Sequence, residues 1–583
     1  AAAAHYFGVH ASELTLAQAA MLAGLVQNPA TTDPINYEGA AITRRNVVLN
    51  RMAHPDVAMI TEAEAAAAKA ESFDQSKVTS FNSGCAFAAY PFVCQYIEQV
   101  FASEQMAMFG ATPEARLNFL HRGGLTIHTT IDPKAMDAAI TAVMERAAPS
   151  DPVIAVSATV EAGTGRILQM SQSRPVMGSN VEAGETFYNY AVENWMGGAG
   201  GFQAGSTFKT YTLATALSQG ASLGHYYDAP KNMDFSKDAF QSCDGAVYTP
   251  WTVRNFGDSE YGQITLLNAT IDSVNTYFAQ LIRDVGVCQT VNMAKYTGLH
   301  AARVHPETGG SDLIDDYHYD SIPSFTLGSA EVAPLNMAES YATFAARGVH
   351  CDPIIIDALE DRDGNSRAVP DANCQQVIDP AVADGVSQIL NQVIYGSGAS
   401  EGRVAGSWPQ AAKTGTTDDA YAYWIMGFTR NYATAVAVAA DNGSTYWDAV
   451  RGGDKSITGL LLPSGRRIPY SSGSTAGPIL RAVMTQALTE QPVIPFEHYN
   501  PIRGSFNNRL TPTPTEEPEP PTLTVSYITP SVTTTITTTS KPPPTTIMPT
   551  TTTTIPPTTT ITIPPTTTST SSAPATSATT EVP

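Results

Sequence analysis

Val153-Ile-Ala-Val-Ser-Ala-Thr-Val160 and Arg166-Ile-Leu-Gln-Met170 flank Glu161-Ala-Gly-Thr-Gly165, a turn with two glycines. Two short runs rich in β-branched residues across a Gly-containing turn read as a β-hairpin. Far downstream the pattern recurs: Tyr421-Ala-Tyr-Trp-Ile-Met-Gly-Phe428 and Tyr432-Ala-Thr-Ala-Val-Ala-Val-Ala-Ala440 are joined by Thr429-Arg430-Asn431. Between the hairpins the segments are mostly helical in type, as in Asn336-Met-Ala-Glu-Ser-Tyr-Ala-Thr-Phe-Ala345, stopped by Gly348. Strands at both ends with helices between them predict an α+β domain on an antiparallel sheet. The change from a helical to an alternating period is first seen at Leu125-Thr-Ile-His-Thr-Thr-Ile131.

Upstream of that change the chain reads as helix. Thr15-x-x-Gln18 is a capping box opening the apolar run Leu16 to Leu25, and Pro29 closes it. A second helix is expected from near Tyr37, with Arg44, Arg45, Val48, Leu49, Arg51 and Met52 on apolar and basic faces; Thr61 to Ala70 continues the helical region. Downstream, from residue 511 onward, 46 of 73 residues are Thr or Pro. Such a segment cannot bury enough apolar surface to offset its chain entropy, and it reads as a disordered stalk and a candidate for O-glycosylation. The expected segments are an all-α part at 1–72, a linker region at 73–150, the α+β domain at 151–490 and the Thr/Pro-rich tail at 491–583.

The formal charge of the 583-residue chain is −22, and only −3 of it falls on residues 511–583, so the folded body is acidic. That counts against partners bound through phosphates, nucleic acid first among them. No window reaches the apolar length of a membrane-spanning helix, and the start at Ala1-Ala-Ala-Ala-His5 without Met is read as processed or truncated. Six cysteines fall into local couples, Cys85 with Cys94, Cys243 with Cys288 and Cys351 with Cys374, none of them a C-x-x-C. An oxidising compartment and these three disulfides are expected, against the plainer reading of unpaired core thiols.

Three short motifs carry chemistry. Gly205-Ser206-Thr-Phe-Lys209 follows the glycine cluster Gly197 to Gly201 and opens a helical run ended by Gly220. With Ser206 in a first turn, Lys209 at i+3 lies on the same face, within reach of the hydroxyl. A serine is a weak nucleophile that needs an adjacent base, and a lysine serves once burial or positive charge depresses its pKa. Ser273-Val-Asn275 offers a hydroxyl and a carboxamide two residues apart, able to relay a proton and hold an amide. Lys413-Thr414-Gly415-Thr416, just before the second hairpin, reads as an edge strand with a cation and hydroxyls for a carboxylate and a glycine that lets a substrate approach the backbone.

The ordered set S-x-x-K, S-x-N and K-T-G-T resembles the penicillin-binding proteins and serine β-lactamases. Gly123-Gly-Leu-Thr-Ile-His-Thr-Thr-Ile-Asp132, Leu327-Gly-Ser-Ala-Glu-Val-Ala-Pro-Leu335 and Ser340-Tyr-Ala-Thr-Phe344 are similar to the transpeptidase half of class A penicillin-binding proteins. Tyr6-Phe-Gly8, Leu14 to Gly24 and Arg45 to Met52 are similar to the end of that family's lipid II glycosyltransferase domain. The resemblance implies a serine β-lactamase/transpeptidase-like fold with Ser206 as acylated nucleophile, Lys209 as base, Ser273 as relay and Asn275 as donor to the stem peptide. Lys413 would complete the electrostatic set, Thr414 and Thr416 would bind the terminal carboxylate, and the N–H groups of Ser206 and Thr416 would form the oxyanion hole. It further implies D,D-transpeptidation of D-Ala-D-Ala stem peptides, with β-lactams and lipid II-derived glycan strands as partners, at the extracytoplasmic face of the cell membrane and in the cell wall. The membrane link would be an N-terminal anchor outside this chain. The glycosyltransferase glutamates of the family lie upstream of Ala1, so glycan polymerisation is expected of the parent protein rather than of these residues.

Alternatives from other classes are a D,D-carboxypeptidase or β-lactamase, in which water resolves the acyl-enzyme, and a non-catalytic β-lactam-binding sensor. A class A β-lactamase would usually show E-x-x-L-N, and Glu331-Val-Ala-Pro-Leu-Asn336 has the wrong spacing. Gly197 to Gly201 lacks the G-K-[ST] of a phosphate loop and reads as a flexible approach to the nucleophile. The histidines form no ligand pattern, so neither metal nor cofactor is expected. Asp418-Asp419 reads as a polar turn, and Trp195, Trp251 and Trp424 as core rather than site.

Overall fold

The computed structural model describes residues 2–78, 84–245, 250–396 and 398–508. The Thr/Pro-rich stretch from residue 511, expected as a stalk, lies outside them. Both hairpins are present and join edge to edge. Strands β1 (Val153–Glu161), β2 (Ile167–Gln172), β3 (Ala411–Thr416), β4 (Ala422–Phe428) and β5 (Tyr432–Ala440) form one antiparallel sheet in the order β3-β4-β5-β1-β2. β5 pairs with β1 along its whole length, from Tyr432 opposite Glu161 to Ala440 opposite Val153.

Every residue of β4 and β5 is buried, which explains their near-continuous apolar runs: both faces of the sheet are covered. On one face, Gly427 and Thr434 meet Leu480 and Met484 of the helix Ser472–Ala487. On the other, Phe428 meets Tyr341 of the helix Pro334–Ala345. The helices expected between the hairpins are there, but residues 226–265 also form two small antiparallel pairs, Tyr226–Ala229 with Gly262–Thr265 and Asn232–Phe235 with Trp251–Arg254. The alternating stretch near 125 is a strand, Thr126–Thr129, that pairs with Ile356–Glu360 outside the main sheet.

The N-terminal helices follow their caps. Thr15 Oγ1 accepts from Gln18 N at 3.2 Å while Gln18 Oε1 accepts from Thr15 N at 3.0 Å, and Thr61 with Glu64 repeats the device before Glu62–Ala70. Each such cap is worth about 1 kcal/mol. Arg45, expected on a basic face, is buried instead, donating to the carbonyls of Glu71 at 2.6 Å and Lys69 at 2.9 Å. Disulfides join Cys85 to Cys94, Cys243 to Cys288 and Cys351 to Cys374.

Two expectations need correction. Gly197 to Gly201 is closely packed rather than a flexible approach: a Cβ on Gly198 would collide with the carbonyls of Val192 and Glu193. Residues 491–508, read as the start of the tail, run over the domain without helix or strand. Tyr499 is buried there, and Asn508 accepts from Ser222 N at 2.7 Å and donates to the Gly220 carbonyl at 2.9 Å.

Candidate active site

Ser206 sits in a 3-10 turn, Gly205–Phe208, that runs directly into the α-helix Lys209–Ser218. In a 3-10 turn side chains three apart eclipse, and Lys209 Nζ lies 2.9 Å from Ser206 Oγ. The Lys209 side chain is wholly buried, with its ammonium end 5.6 Å from the centre of the Phe278 ring. Tyr341 supports the turn from behind, donating to the Thr207 carbonyl at 2.7 Å.

The S-x-N residues reach the same amine. Lys209 Nζ lies 2.6 Å from the Ser273 carbonyl oxygen, 3.2 Å from Ser273 Oγ and 2.6 Å from Asn275 Oδ1. Ser273 adopts φ 56°, an uncommon value for a residue with a side chain, and this turn aims both of its oxygens at one nitrogen. Asn275 opens the helix Asn275–Val285, and its Nδ2 donates to the Arg254 carbonyl at 2.8 Å, which turns Oδ1 toward Lys209. Lys413, on the free edge strand β3, donates to Ser273 Oγ at 2.9 Å and to the Thr414 carbonyl at 3.1 Å.

Burial governs the two lysines. It pushes Lys209 well below the ordinary lysine range, with the charge of Lys413 adding to the effect, and it brings Lys413 down to about 7. A neutral Lys209 amine has two N–H groups and one lone pair. The Ser273 carbonyl and Asn275 Oδ1 are pure acceptors and take the two hydrogens, while Lys413 donates to the Ser273 hydroxyl. The lone pair is thereby left for the Ser206 hydroxyl, the arrangement that general-base activation of a serine needs.

The structure thus brings Ser206, Lys209, Ser273, Asn275 and Lys413 together. Thr414 and Thr416 stand on the opposite side of β3 from Lys413, by strand alternation, and are half-buried. Gly415 is a correction: its missing side chain admits the nucleophile turn rather than a substrate, because a Cβ there would collide with the Ala204 carbonyl. A Cβ on Gly205 would meet the Thr416 backbone nitrogen at 2.7 Å, so the main chains around Ser206 and Thr416 lie against each other.

A cleft of about 460 Å³ opens beside this set, lined by Gln203, Trp251, Arg254, Asn275, Ser329 and Asp418 among others. Trp251 is therefore a cleft residue that the sequence reading left out, and Arg254 one that it did not consider. Their recruitment depends on the Asn232–Phe235/Trp251–Arg254 hairpin, whose place beside Asn275 no local pattern announces. Trp424 is core, donating to the Gln203 carbonyl at 2.8 Å.

Known families match the chain in two regions. The family description "Penicillin binding protein transpeptidase domain" matches residues 156–456, and "Transglycosylase" matches residues 1–53. Penicillin-binding protein 1A of Mycolicibacterium smegmatis is 28% identical over 466 residues, 76% of this chain and 52% of that protein. Its namesake in Mycobacterium tuberculosis is 28% identical over 480 residues, 80% of this chain and 52% of that protein. The chain thus spans about half the length of these relatives. Among solved structures, penicillin-binding protein PonA1 of M. tuberculosis, also solved with penicillin V, superposes with a TM-score of 0.52 at 23% identity, covering 72% of this chain and 97% of that one. Penicillin-binding protein 1A of Haemophilus influenzae gives a TM-score of 0.58 at 18% identity, covering 86% and 84%. These two likenesses concern the fold, whereas the transpeptidase match takes in just over half of the residues, from β1 through Ser206 and Lys413 to beyond β5: the chain belongs to the penicillin-binding protein transpeptidase family.

Proposed function

We propose that the domain at 151–490 is a D,D-transpeptidase that cross-links peptidoglycan through an acyl-enzyme on Ser206. The observation that carries this reading is the buried Lys209 amine, 2.6 Å from each of two pure acceptors and 2.9 Å from the Ser206 oxygen, which when neutral leaves its lone pair for that hydroxyl. Ser206 gives its proton to Lys209 as Oγ attacks the carbonyl between the two D-alanines. The oxyanion that forms is held by the N–H groups of Ser206 and Thr416. As the C–N bond breaks, the proton passes through the Ser273 hydroxyl to the departing amine, and D-alanine leaves. An amine of a neighbouring stem peptide then attacks the ester, its C–N bond forming as the bond to Ser206 Oγ breaks, and the proton that the amine loses passes through Lys209 to Ser206 Oγ. Lys413 supplies the positive charge that draws the terminal carboxylate, Thr414 and Thr416 offer hydroxyls along the same edge strand, and Asn275 holds the donor amide. A β-lactam would be opened by the same attack.

Residues 1–72 are read as the end of a glycosyltransferase domain of the parent protein and 73–150 as the connection, and the enzyme would act at the extracytoplasmic face of the membrane and in the cell wall. The test is intact mass before and after benzylpenicillin, on the wild type and on Ser206→Ala. A single persistent adduct that vanishes in the variant is expected. An adduct that survives in Ser206→Ala, or none on the wild type, overturns the reading, and rapid loss of the adduct with drug hydrolysis replaces it with a hydrolase.

A further inference from the structure

The cleft holds a second basic group that acyl transfer leaves idle. Arg254 ends the strand Trp251–Arg254 and lines the cleft with a side chain that is 73% exposed. Its backbone is fixed to the reacting centre, because its carbonyl accepts from Asn275 Nδ2 at 2.8 Å. The next residue strengthens the hold: Asn255 Oδ1 accepts from Thr276 N at 2.9 Å, and the Cys243–Cys288 disulfide anchors the loop of the same hairpin. The guanidinium is therefore exposed, yet carried on a wall hydrogen-bonded to Asn275 and Thr276.

Its charge is not consumed by the fold. Asp258 Oδ1 lies 3.6 Å from Arg254 Nε, and the same carboxylate lies 3.4 Å from Lys231 Nζ. Asp258 is thus shared between two cations, and Asp234 on the paired strand accepts from Thr252 Oγ1 at 2.6 Å; Arg254 is the cation of this hairpin that lines the cleft, in a chain whose formal charge is −22. From the turn that follows β3, on the Lys413 side, Asp418 lines the same cleft with the opposite sign. A ligand carrying an anionic group would be drawn to the Arg254 wall and repelled from the Asp418 end.

We propose that Arg254 is a specificity-determining residue that pairs its planar fork with a carboxylate on the body of the donor peptide. The inference rests on the transpeptidase reading above, in which Lys413 takes the terminal carboxylate and Asn275 the donor amide. A second anion beside Asn275 then belongs to a residue preceding the D-Ala-D-Ala terminus. The class of substrate is a donor whose internal acidic group is free rather than amidated.

The test uses two donor peptides ending in D-Ala-D-Ala that differ only in bearing a carboxylate or a carboxamide on the preceding residue. Release of D-alanine gives kcat/KM for each with the wild type, Arg254→Ala and Arg254→Lys. The wild type should favour the carboxylate donor by about three- to tenfold, mainly through KM, as expected for a partly exposed pair. The ratio should fall to about one in Arg254→Ala and stay intermediate in Arg254→Lys, which keeps the charge without the fork. A wild type with no preference, or an Arg254→Ala ratio equal to that of the wild type, overturns the inference. A general loss of rate in Arg254→Ala at an unchanged ratio overturns it as well, because a structural role would act on both donors alike. A wild type that takes a benzylpenicillin adduct and releases D-alanine without discrimination sinks this inference alone, and one that does neither sinks the transpeptidase reading with it.

Discussion

The Lys209–Lys413 pair and the His300–His350 pair are both basic, both largely buried and both hydrogen-bonded, yet they are driven in opposite directions. Among the described residues neither lysine forms an ion pair, and burial pushes both down, Lys413 to about 7 and Lys209 well below its ordinary range. At the histidines burial also favours the neutral ring, but carboxylates outweigh it. His300 Nε2 lies 3.2 Å from Glu193 and its pKa is pushed up to about 9; His350 Nε2 lies 2.8 Å from Glu339 and is likewise raised. A buried base ringed by hydroxyls and carbonyls is made ready to accept a proton, whereas one given a carboxylate holds its charge and cements the fold. The difference between chemistry and structure in this domain is therefore a difference of partners rather than of depth.

The strongest way to break the comparison is Lys209→Met, which keeps the bulk and removes the lone pair. Acylation of Ser206 by benzylpenicillin, followed by mass against time, should slow by about two to four orders of magnitude, the range for loss of a general base. A loss of less than tenfold would mean that another group takes the proton. The next effect is on pH. Lys413 must be charged to meet a carboxylate, so the acylation rate constant at low drug concentration should fall about tenfold per pH unit above pH 7, where Lys413 deprotonates. Lys413→Arg stays charged throughout and should remove that alkaline limb; a limb that persists would belong to some other group.

The lysine set was legible in the sequence because each part of it is local: Lys209 three positions after Ser206, Asn275 two positions after Ser273, and a strand edge at Lys413. The sheet was legible for a similar reason, since each hairpin states its own pairing and the union of β1 with β5 needs only that both be buried on two faces. The histidine cluster was not, because Glu193, His300 and the Glu339–His350 pair come from three separate segments and meet only after the loop at 189–203 packs on the helix Pro334–Ala345. Arg254 and Trp251 escaped for the same reason. Residues 491–508 misled through composition: Pro and polar residues hide the anchors Tyr499 and Asn508, and the burial of Tyr499 requires the surface already formed around Gly385.

The smallest effect sharpens the comparison most, because the two clusters should pull the pH dependence of stability in opposite directions. His300 binds its proton more tightly in the folded state, about 9 against an ordinary 6.5, so its contribution is complete below pH 6.5 and lost as pH rises toward 9. Lys413 does the reverse: below pH 7 it is charged in both states, and between about 7 and its ordinary 10.5 the unfolded chain holds the extra proton, so stability rises with pH. From pH 7 to 9 the two trends oppose each other in the wild-type unfolding free energy from urea titration, with His350 adding to the first and Lys209 to the second. Relative to the wild-type profile, His300→Gln should turn the curve upward by about 1–2 kcal/mol over that interval and Lys413→Met downward by a similar amount. Profiles for the two variants that run parallel to the wild type would mean that these bases titrate alike when folded and unfolded, and the contrast between a neutralised and a charge-holding cluster would be lost.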